Sequence, residues 1–266
     1  MNQISLLQGI LLALMAFIVG IDFWLEALFI FRPIIVCTLT GLILGDVRIG
    51  LVTGGLTELA FAGLTPAGGT QPPNPVMAGI MATVLAYTTG KNENEVIGLA
   101  LPFSFLMQYI LLFYYSIFSF FNVKLEKAAD NADGQSFRKY AIIPMIIVAI
   151  TYALVVFLST YLAQDLMRNL VNSLPDWLTH GLEVAGGVLP AVGFAMLLNI
   201  MFKLEYLPYL VIGFILATFI EFPNLLPIAL IGASFALITY FREKNNANAN
   251  KEVFLTDEKE DYSNGI

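Results

Sequence analysis

The sequence predicts an all-α integral membrane protein, a polytopic bundle with broken and re-entrant helices in its first third. Hydrophobic residues make up 58% of the 266 residues and charged residues only 12%, about half the charged share of an ordinary soluble domain. The mean hydropathy is +0.78. Because the apolar residues form long tracts, a bilayer rather than one buried core must solvate most of the surface.

Apolar tracts of different lengths divide the chain. They cover residues 4–21, 34–44, 50–64, 76–87, 96–121, 140–163, 182–202, 207–222 and 225–241. Only some reach the roughly 20 residues that a helix needs to cross the hydrocarbon core. The tracts between residues 34 and 87 are short and interrupted by Gly and Pro, which is typical of broken or re-entrant helices in transporters. We therefore expect a functional site in the first third of the chain.

The chain divides into a membrane-embedded domain, residues 1–241, and a charged tail, residues 242–266, which we expect to be disordered because it lacks apolar periodicity. Basic residues near membrane spans mark cytoplasmic loops. The segment 122–139 contains the basic residues Lys124, Lys127, Arg138 and Lys139. Since four apolar tracts separate this segment from the tail, and an even number of crossings returns the chain to the same side, both are expected in the cytoplasm.

The composition argues against several classes of function. One cysteine, Cys37, and one histidine, His180, leave almost no ligands for a metal centre. His180 also lies near Trp177, so anchoring at the membrane interface is favoured over catalysis. The formal net charge of -7 argues against nucleic acid, whose binding surface would be basic. We expect no catalytic residue, metal, cofactor or nucleic-acid partner.

Two G-x-x-x-G spacings lie in the apolar first third. They pair Gly41 with Gly45 and Gly50 with Gly54. At helical spacing such glycines share one face and let a second backbone approach closely. We interpret them as ordinary packing sites between membrane helices.

Glu58 is an ionisable residue inside the apolar tract 50–64. A charged group at that depth is costly unless it faces a cavity, has a partner or takes up a proton. We interpret Glu58 as a substrate-binding residue. The alternative is a protonated or paired side chain that fixes helix packing.

Three further charged residues lie between the first two apolar tracts. Asp22 and Glu26 are one helical turn apart, and Arg32 is near enough in sequence to pair with either. We interpret these residues as an ion pair at the membrane interface rather than as a binding site.

The segment 65–75 cannot form a regular helix, because four prolines remove backbone donors and paired glycines loosen the chain. Exposed backbone at membrane depth is tolerated only when protein covers it or it lines a cavity. Thr70, Gln71 and Asn74 would place neutral donors and acceptors there, which suits an uncharged polyhydroxylated ligand better than an ion. We expect these three residues to bind substrate. The alternative is a surface connection.

Asn199 is a polar residue inside the apolar tract 182–202. It either forms a hydrogen bond with a neighbouring helix or lines a pathway for the substrate. Gly186, Gly187 and Pro190 weaken the helix before it, and a second discontinuity in the other half of the chain is typical of transporters. Asn199 is therefore a further candidate for substrate binding.

Four stretches of sequence carry a resemblance to a known family. They are Phe31-Arg32-Pro33 leading into residues 38–46, Gly54-Gly55-Leu56-Thr57-Glu58, Ala128-Ala129-Asp130-Asn131-Ala132-Asp133, and residues 180–187. Through them the chain resembles the IIC component of the mannose-type sugar phosphotransferase permeases. Their order and spacing span nearly the whole membrane portion, and the tail lies outside the resemblance.

The resemblance implies a multi-pass subunit of the bacterial inner membrane that translocates a hexose or hexosamine and is not itself an enzyme. It implies a homologous IID membrane subunit as partner, a trimer of IIC–IID pairs, and cytoplasmic IIA and IIB proteins that pass phosphate to the sugar. The segment 70–75 looks nearer to the amino-sugar members, such as those for N-acetylgalactosamine or galactosamine, than to the mannose members.

Two other functions compete with the phosphotransferase permease. The first is an ion-coupled secondary transporter that uses Glu58 as a proton or sodium site, which the broken helices permit. The second is a membrane subunit that only docks its partners and does not transport.

Overall fold

The protein is all-helical over the residues described by this computed structural model, which are 2–64, 71–165, 169, 173–220 and 226–263, with the backbone alone at 176, 179 and 246–263. No strand occurs among these residues, so the expected fold class is confirmed. The helices are α1 (Leu6–Leu25), α2 (Pro33–Leu44), α3 (Val47–Phe61), α4 (Pro75–Thr89), α5 (Glu93–Asp130), α6 (Gly134–Phe157), α7 (Asp176–Met201), α8 (Leu207–Phe219) and α9 (Leu226–Ser263). A π-helical turn, Leu158–Leu162, follows α6, and a 3₁₀ turn, Leu204–Tyr206, precedes α8.

Five helical stretches in the described part of the chain are long and apolar enough to cross a membrane. They cover residues 6–25, 93–130, 134–162, 180–201 and 226–245. Their outward faces carry large apolar side chains, such as Leu7 and Phe113, which are more than half exposed. Lipid or another membrane protein must cover these faces, as predicted for a polytopic membrane protein.

The chain forms two compact units, residues 1–200 and residues 201–266. In the second unit α8 packs against α9, where the Tyr209 and Thr239 hydroxyls are 3.0 Å apart. The helical backbone of α9 continues to Ser263, within the charged tail. Neither Gly nor Pro stands between Gly232 and Gly265 to end this helix. Disorder of this charged tail in solution stays a prediction.

Helices α2 and α3 form a tight hairpin. Pro33 starts α2, and Gly45, at φ +90°, ends it in a left-handed conformation that favours glycine. The two backbones touch where Gly50 meets Gly41: a Cβ added to Gly50 would lie 2.4 Å from the Cys37 carbonyl oxygen. Close approach is thus confirmed for the glycines at 41, 50 and 54, whereas Gly45 serves the turn.

The helices α2, α3 and α4 are short, with 12, 15 and 15 residues. At about 1.5 Å per residue they are roughly 18 to 22 Å long, which is less than the roughly 30 Å of a hydrocarbon core. This length agrees with broken helices in the first third. Their re-entry from one side of the membrane stays a prediction.

Longer helices surround this group. Helix α1 packs antiparallel to α6: the Cα of Ala149 would be 2.8 Å from a Cβ added to Gly20, and the Ile4 amide donates to the Gln164 Oε1 at 3.0 Å. Helix α5 has 38 residues, about 57 Å, so it extends well beyond a hydrocarbon core. A short turn joins α5 to α6, and the two helices form a hairpin. Because α1 is antiparallel to α6, the start of α1 lies near the end of α6, away from this hairpin.

Candidate functional site

A cavity of about 490 Å³ lies where four helix ends meet. The ends of α1 and α3 and the starts of α2 and α4 surround it, and the middle of α5 closes one side through Tyr115. The loops next to these helix ends also line the cavity, so its wall combines polar loop residues with apolar helix residues. The volume is in the range that holds a small molecule.

Aromatic rings form much of the cavity wall. The five aromatic residues are Phe23, Trp24, Phe31, Phe61 and Tyr115. Phe23 meets Phe31 edge to face at 5.6 Å between ring centroids, and Trp24 lies 6.5 Å from Tyr115. A pyranose has apolar C–H faces that pack on such rings and hydroxyls that need polar partners, so this wall suits a sugar.

Two of the charged residues in the wall form an ion pair that joins α2 to α3. The Arg32 guanidinium donates to the Glu58 Oε1, and the Ile34 amide in the first turn of α2 donates to the Glu58 Oε2 at 3.2 Å. A carboxylate is stabilised at a helix N-terminus. Glu58 therefore lines the cavity as a paired group, and its role in binding substrate stays a prediction.

The interpretation of Arg32 as a partner of Asp22 or Glu26 is wrong. Asp22 is buried and accepts hydrogen bonds from the backbone amides of Leu28, at 2.7 Å, and Ile30, at 2.6 Å. A buried carboxylate needs such partners, and here the loop after α1 provides them in place of a cation. Asp22 thus fixes the loop that brings Phe31 and Arg32 to the cavity.

Gln71 lines the cavity beside Pro72. Its backbone carbonyl accepts a hydrogen bond from the side-chain amide of Gln108 on α5, which holds the loop before α4 against that helix. The expected neutral polar group is therefore at the cavity, although the structure does not test whether it binds substrate. Thr70 lies outside the described residues.

Asn74 has a different position from Gln71. It is buried and caps α4: its Oδ1 accepts from the Met77 amide at 2.9 Å, and its Nδ2 donates to the Tyr152 hydroxyl at 2.5 Å. Its backbone carbonyl accepts from the Ser104 hydroxyl at 2.8 Å. These bonds use its polar groups within the protein, so the geometry favours positioning of the loop over direct contact with a ligand.

Asn199 lies on the exposed surface of α7. Among the described residues neither Asn199 nor Asn74 lines the cavity. At the start of the same helix, the His180 Nδ1 lies 3.5 Å from a Glu183 carboxylate oxygen, and Asn92 donates to the other oxygen at 3.5 Å. This contact joins α7 to the loop before α5 and leaves His180 exposed.

The hairpin between α5 and α6 is polar and partly basic. Lys124 lies 4.4 Å from the Phe120 ring centroid and 5.2 Å from that of Tyr140, as is typical of a lysine at a membrane interface.

Asp133 caps α6. Hydrogen bonds from the side chain and backbone of Ser136, and from the backbone of Gln135, hold the pKa of Asp133 below its usual value.

Several cavity residues carry no sequence signal of their own. The five aromatic rings come from separate elements, and aromatic residues are common throughout the chain. Arg32 and Glu58 each stand out as charges near apolar tracts, but that signal does not pair them with each other. Within the described ranges no group of three or more His, Cys, Asp or Glu side chains is arranged to hold a metal ion.

Comparison with known proteins adds a family context to this cavity. Residues 6–238 match the family described as PTS system sorbose-specific IIC component. The chain is 59% identical to N-acetylgalactosamine permease IIC component 1 of Escherichia coli K12 over the full length of both. A solved membrane protein superposes with a TM-score of 0.79 at 30% identity, covering 90% of this chain and 96% of that one. A chain of the mannose transporter in complex with microcin E492 gives a TM-score of 0.57 at 29% identity, with the same coverage.

Proposed function

Because this chain belongs to the family of sorbose-specific IIC components of the phosphotransferase system, we propose that it carries an amino sugar through the cavity beside Glu58. It is a multi-pass sugar permease subunit. The amino-sugar preference is supported by the full-length 59% identity to an N-acetylgalactosamine permease component. The cavity itself, with aromatic walls, one ion pair and Gln71, is the observation that carries the proposed path.

Substrate-binding roles follow from the exposed donors and acceptors of the cavity. Glu58 and Arg32 offer charged groups to sugar hydroxyls, and Gln71 offers a neutral amide. Charge-assisted hydrogen bonds are shorter and stronger than neutral ones, so the ion pair would supply most of the polar affinity. Thr70, on the same segment as Gln71, is proposed to assist, whereas Asn74 and Asn199 remain candidates with support from sequence alone.

The proposed partners supply the chemistry that this chain lacks. A IID membrane subunit would cover part of the apolar surface of the helices, and a trimer of IIC–IID pairs is the proposed assembly. Resemblance in fold to a chain of a mannose transporter complex supports the IID partner. IIB, charged by IIA, would transfer the phosphoryl group to the sugar, so this subunit translocates without catalysing the transfer.

The proposed orientation places the hairpin 122–139 and the tail in the bacterial cytoplasm. Support comes from the four basic residues of that hairpin. The start of α1, at the opposite end of α6, would then be outside. Single cysteines at Gln135 and Asn250, in a Cys37→Ser background, should resist an impermeant thiol reagent on intact cells. Ready labelling of either from outside would invert the topology.

Transport by the complete system tests the function directly. Cells that express this chain with its IID, IIA and IIB partners should accumulate labelled galactosamine or N-acetylgalactosamine as the phosphate ester, and only when phosphoenolpyruvate is available. Uptake driven by an ion gradient without phosphoenolpyruvate would favour the secondary transporter. Uptake that persists after removal of this chain alone would favour a docking subunit.

A further inference from the structure

The cavity contains three charged side chains, and only two of them are paired. Arg32 and Glu58 form an ion pair, while Glu26 also lines the cavity. In the part of the chain that the structure describes, Glu26 has no ion-pair partner. Glu26 and Tyr115 line the same cavity. Among the described lining residues, the cavity therefore has one carboxylate more than it has cations.

The backbone presents Glu26 to the cavity in an unusual conformation. Glu26 ends α1 in the left-handed region, at φ +47°, and its amide donates to the Asp22 carbonyl at 2.7 Å. Phe29 in the same loop also has positive φ, at +57°. This conformation is costly for residues other than glycine and persists where surrounding contacts impose it, often at functional sites. The bonds from the loop amides to the Asp22 carboxylate impose it here.

We propose that Glu26 determines the charge preference of the cavity and binds the protonated amine of an amino sugar. An ammonium group offers three donors and a full positive charge, so it balances the carboxylate that Arg32 leaves unpaired. A neutral hydroxyl or acetamido group at the same sugar position donates a weaker hydrogen bond and leaves the charge uncompensated. This inference rests on the proposed function, because it assumes that the cavity binds the sugar.

The test compares two sugars and three variants. Binding of galactosamine and of N-acetylgalactosamine to the purified complex with IID is measured by calorimetry at slightly acid pH, where the amine is protonated. The variant Glu26→Gln removes the charge and retains the shape, and Glu26→Asp retains the charge. The matched control is Glu126→Gln, which removes an exposed carboxylate on α5 away from the cavity.

The inference predicts a change in the ratio of the two affinities. Glu26→Gln should weaken galactosamine binding about 10-fold or more and N-acetylgalactosamine binding less than about threefold, because only the charged sugar loses a charge-assisted bond. Glu26→Asp should retain the preference, and Glu126→Gln should change neither affinity. Equal loss for both sugars, or no loss, would overturn the role of Glu26 while sparing the proposed function. Failure of both sugars to bind the unsubstituted complex would overturn both.

Discussion

Glu58→Gln should abolish or strongly reduce sugar uptake while the protein still folds and inserts. The substitution removes the charge that binds the Arg32 guanidinium but keeps an oxygen that can accept from the Ile34 amide. Its shape also fits the same space. Loss of transport would therefore report on the charge of Glu58 rather than on a collapsed hairpin.

The structure indicates how large each effect should be. The side chain of Arg32 is 47% exposed and that of Glu58 21% exposed, so the ion pair should contribute no more to stability than the 0 to roughly 1 kcal/mol of exposed pairs. The charge at the start of α2 adds roughly 0.3 to 1 kcal/mol. We expect the free energy of unfolding to fall by about 0.3 to 2 kcal/mol, the sum of the two contributions. Each lost charge-assisted bond to the sugar should cost about 1.5 to 3 kcal/mol, or roughly 10- to 100-fold in affinity.

The assay pairs uptake with stability and uses a double-mutant cycle. Uptake of labelled sugar and thermal unfolding in detergent are measured for Glu58→Gln, Arg32→Gln and the double variant, with Glu126→Gln as the control for removal of a carboxylate. The double variant removes both charges of the pair, so it leaves no unpaired charge. If Glu58 binds sugar, this variant should still be inactive. Recovered uptake in the double variant would show that Glu58 only neutralises Arg32. Wild-type uptake and affinity in Glu58→Gln would show that the charge of Glu58 is not needed to bind the sugar.

Three other substitutions test the structure around the cavity. Gly50→Ala should lower the free energy of unfolding by about 1 to 3 kcal/mol or more, since its methyl group would meet a backbone carbonyl of α2; Gly55→Ala, where the added carbon meets open space, is the control and should change little. Tyr152→Phe should cost about 1 to 3 kcal/mol, because the buried Asn74 amide loses its acceptor, and thermal unfolding measures this cost. The lowered pKa of Asp133 means that its contribution to hairpin stability is present above the usual aspartate pKa of 3.8 and is lost as pH falls through the lowered value. Hydrogen exchange of the first turn of α6 should show this loss in acid, and Asp133→Asn should remove the pH dependence.

Much of the fold follows from local patterns that the sequence displays directly. Apolar tracts, glycine spacing and proline positions predict the long spans, the short helices of the first third and close approach of a second backbone to the glycines. These features depend on residues close in sequence or on one helix face. The sequence also predicts that Glu58 and Gln71 lie near one site, because both belong to the region where regular helices are interrupted.

The partners of the charged residues depend on contacts between distant parts of the chain. Nearness in sequence favours Arg32 with Asp22 or Glu26, but the hairpin of α2 and α3 brings Arg32 to Glu58, 26 positions away. Likewise the sequence predicts that Asn74 binds a ligand, but in the structure its side-chain amide donates to the Tyr152 hydroxyl on α6. Such pairings depend on how the helices pack, which hydrophobic periodicity alone does not specify.

The position of the bound sugar tests the central claim most directly. A cryo-electron microscopy structure of this chain with its IID partner, in saturating galactosamine, should show the sugar in the cavity of α1 to α5. The ring should pack on the aromatic wall, with polar atoms within hydrogen-bond distance of Glu58 and Gln71 and the amine at Glu26. Sugar density at another site, with this cavity empty under the same conditions, would contradict the account.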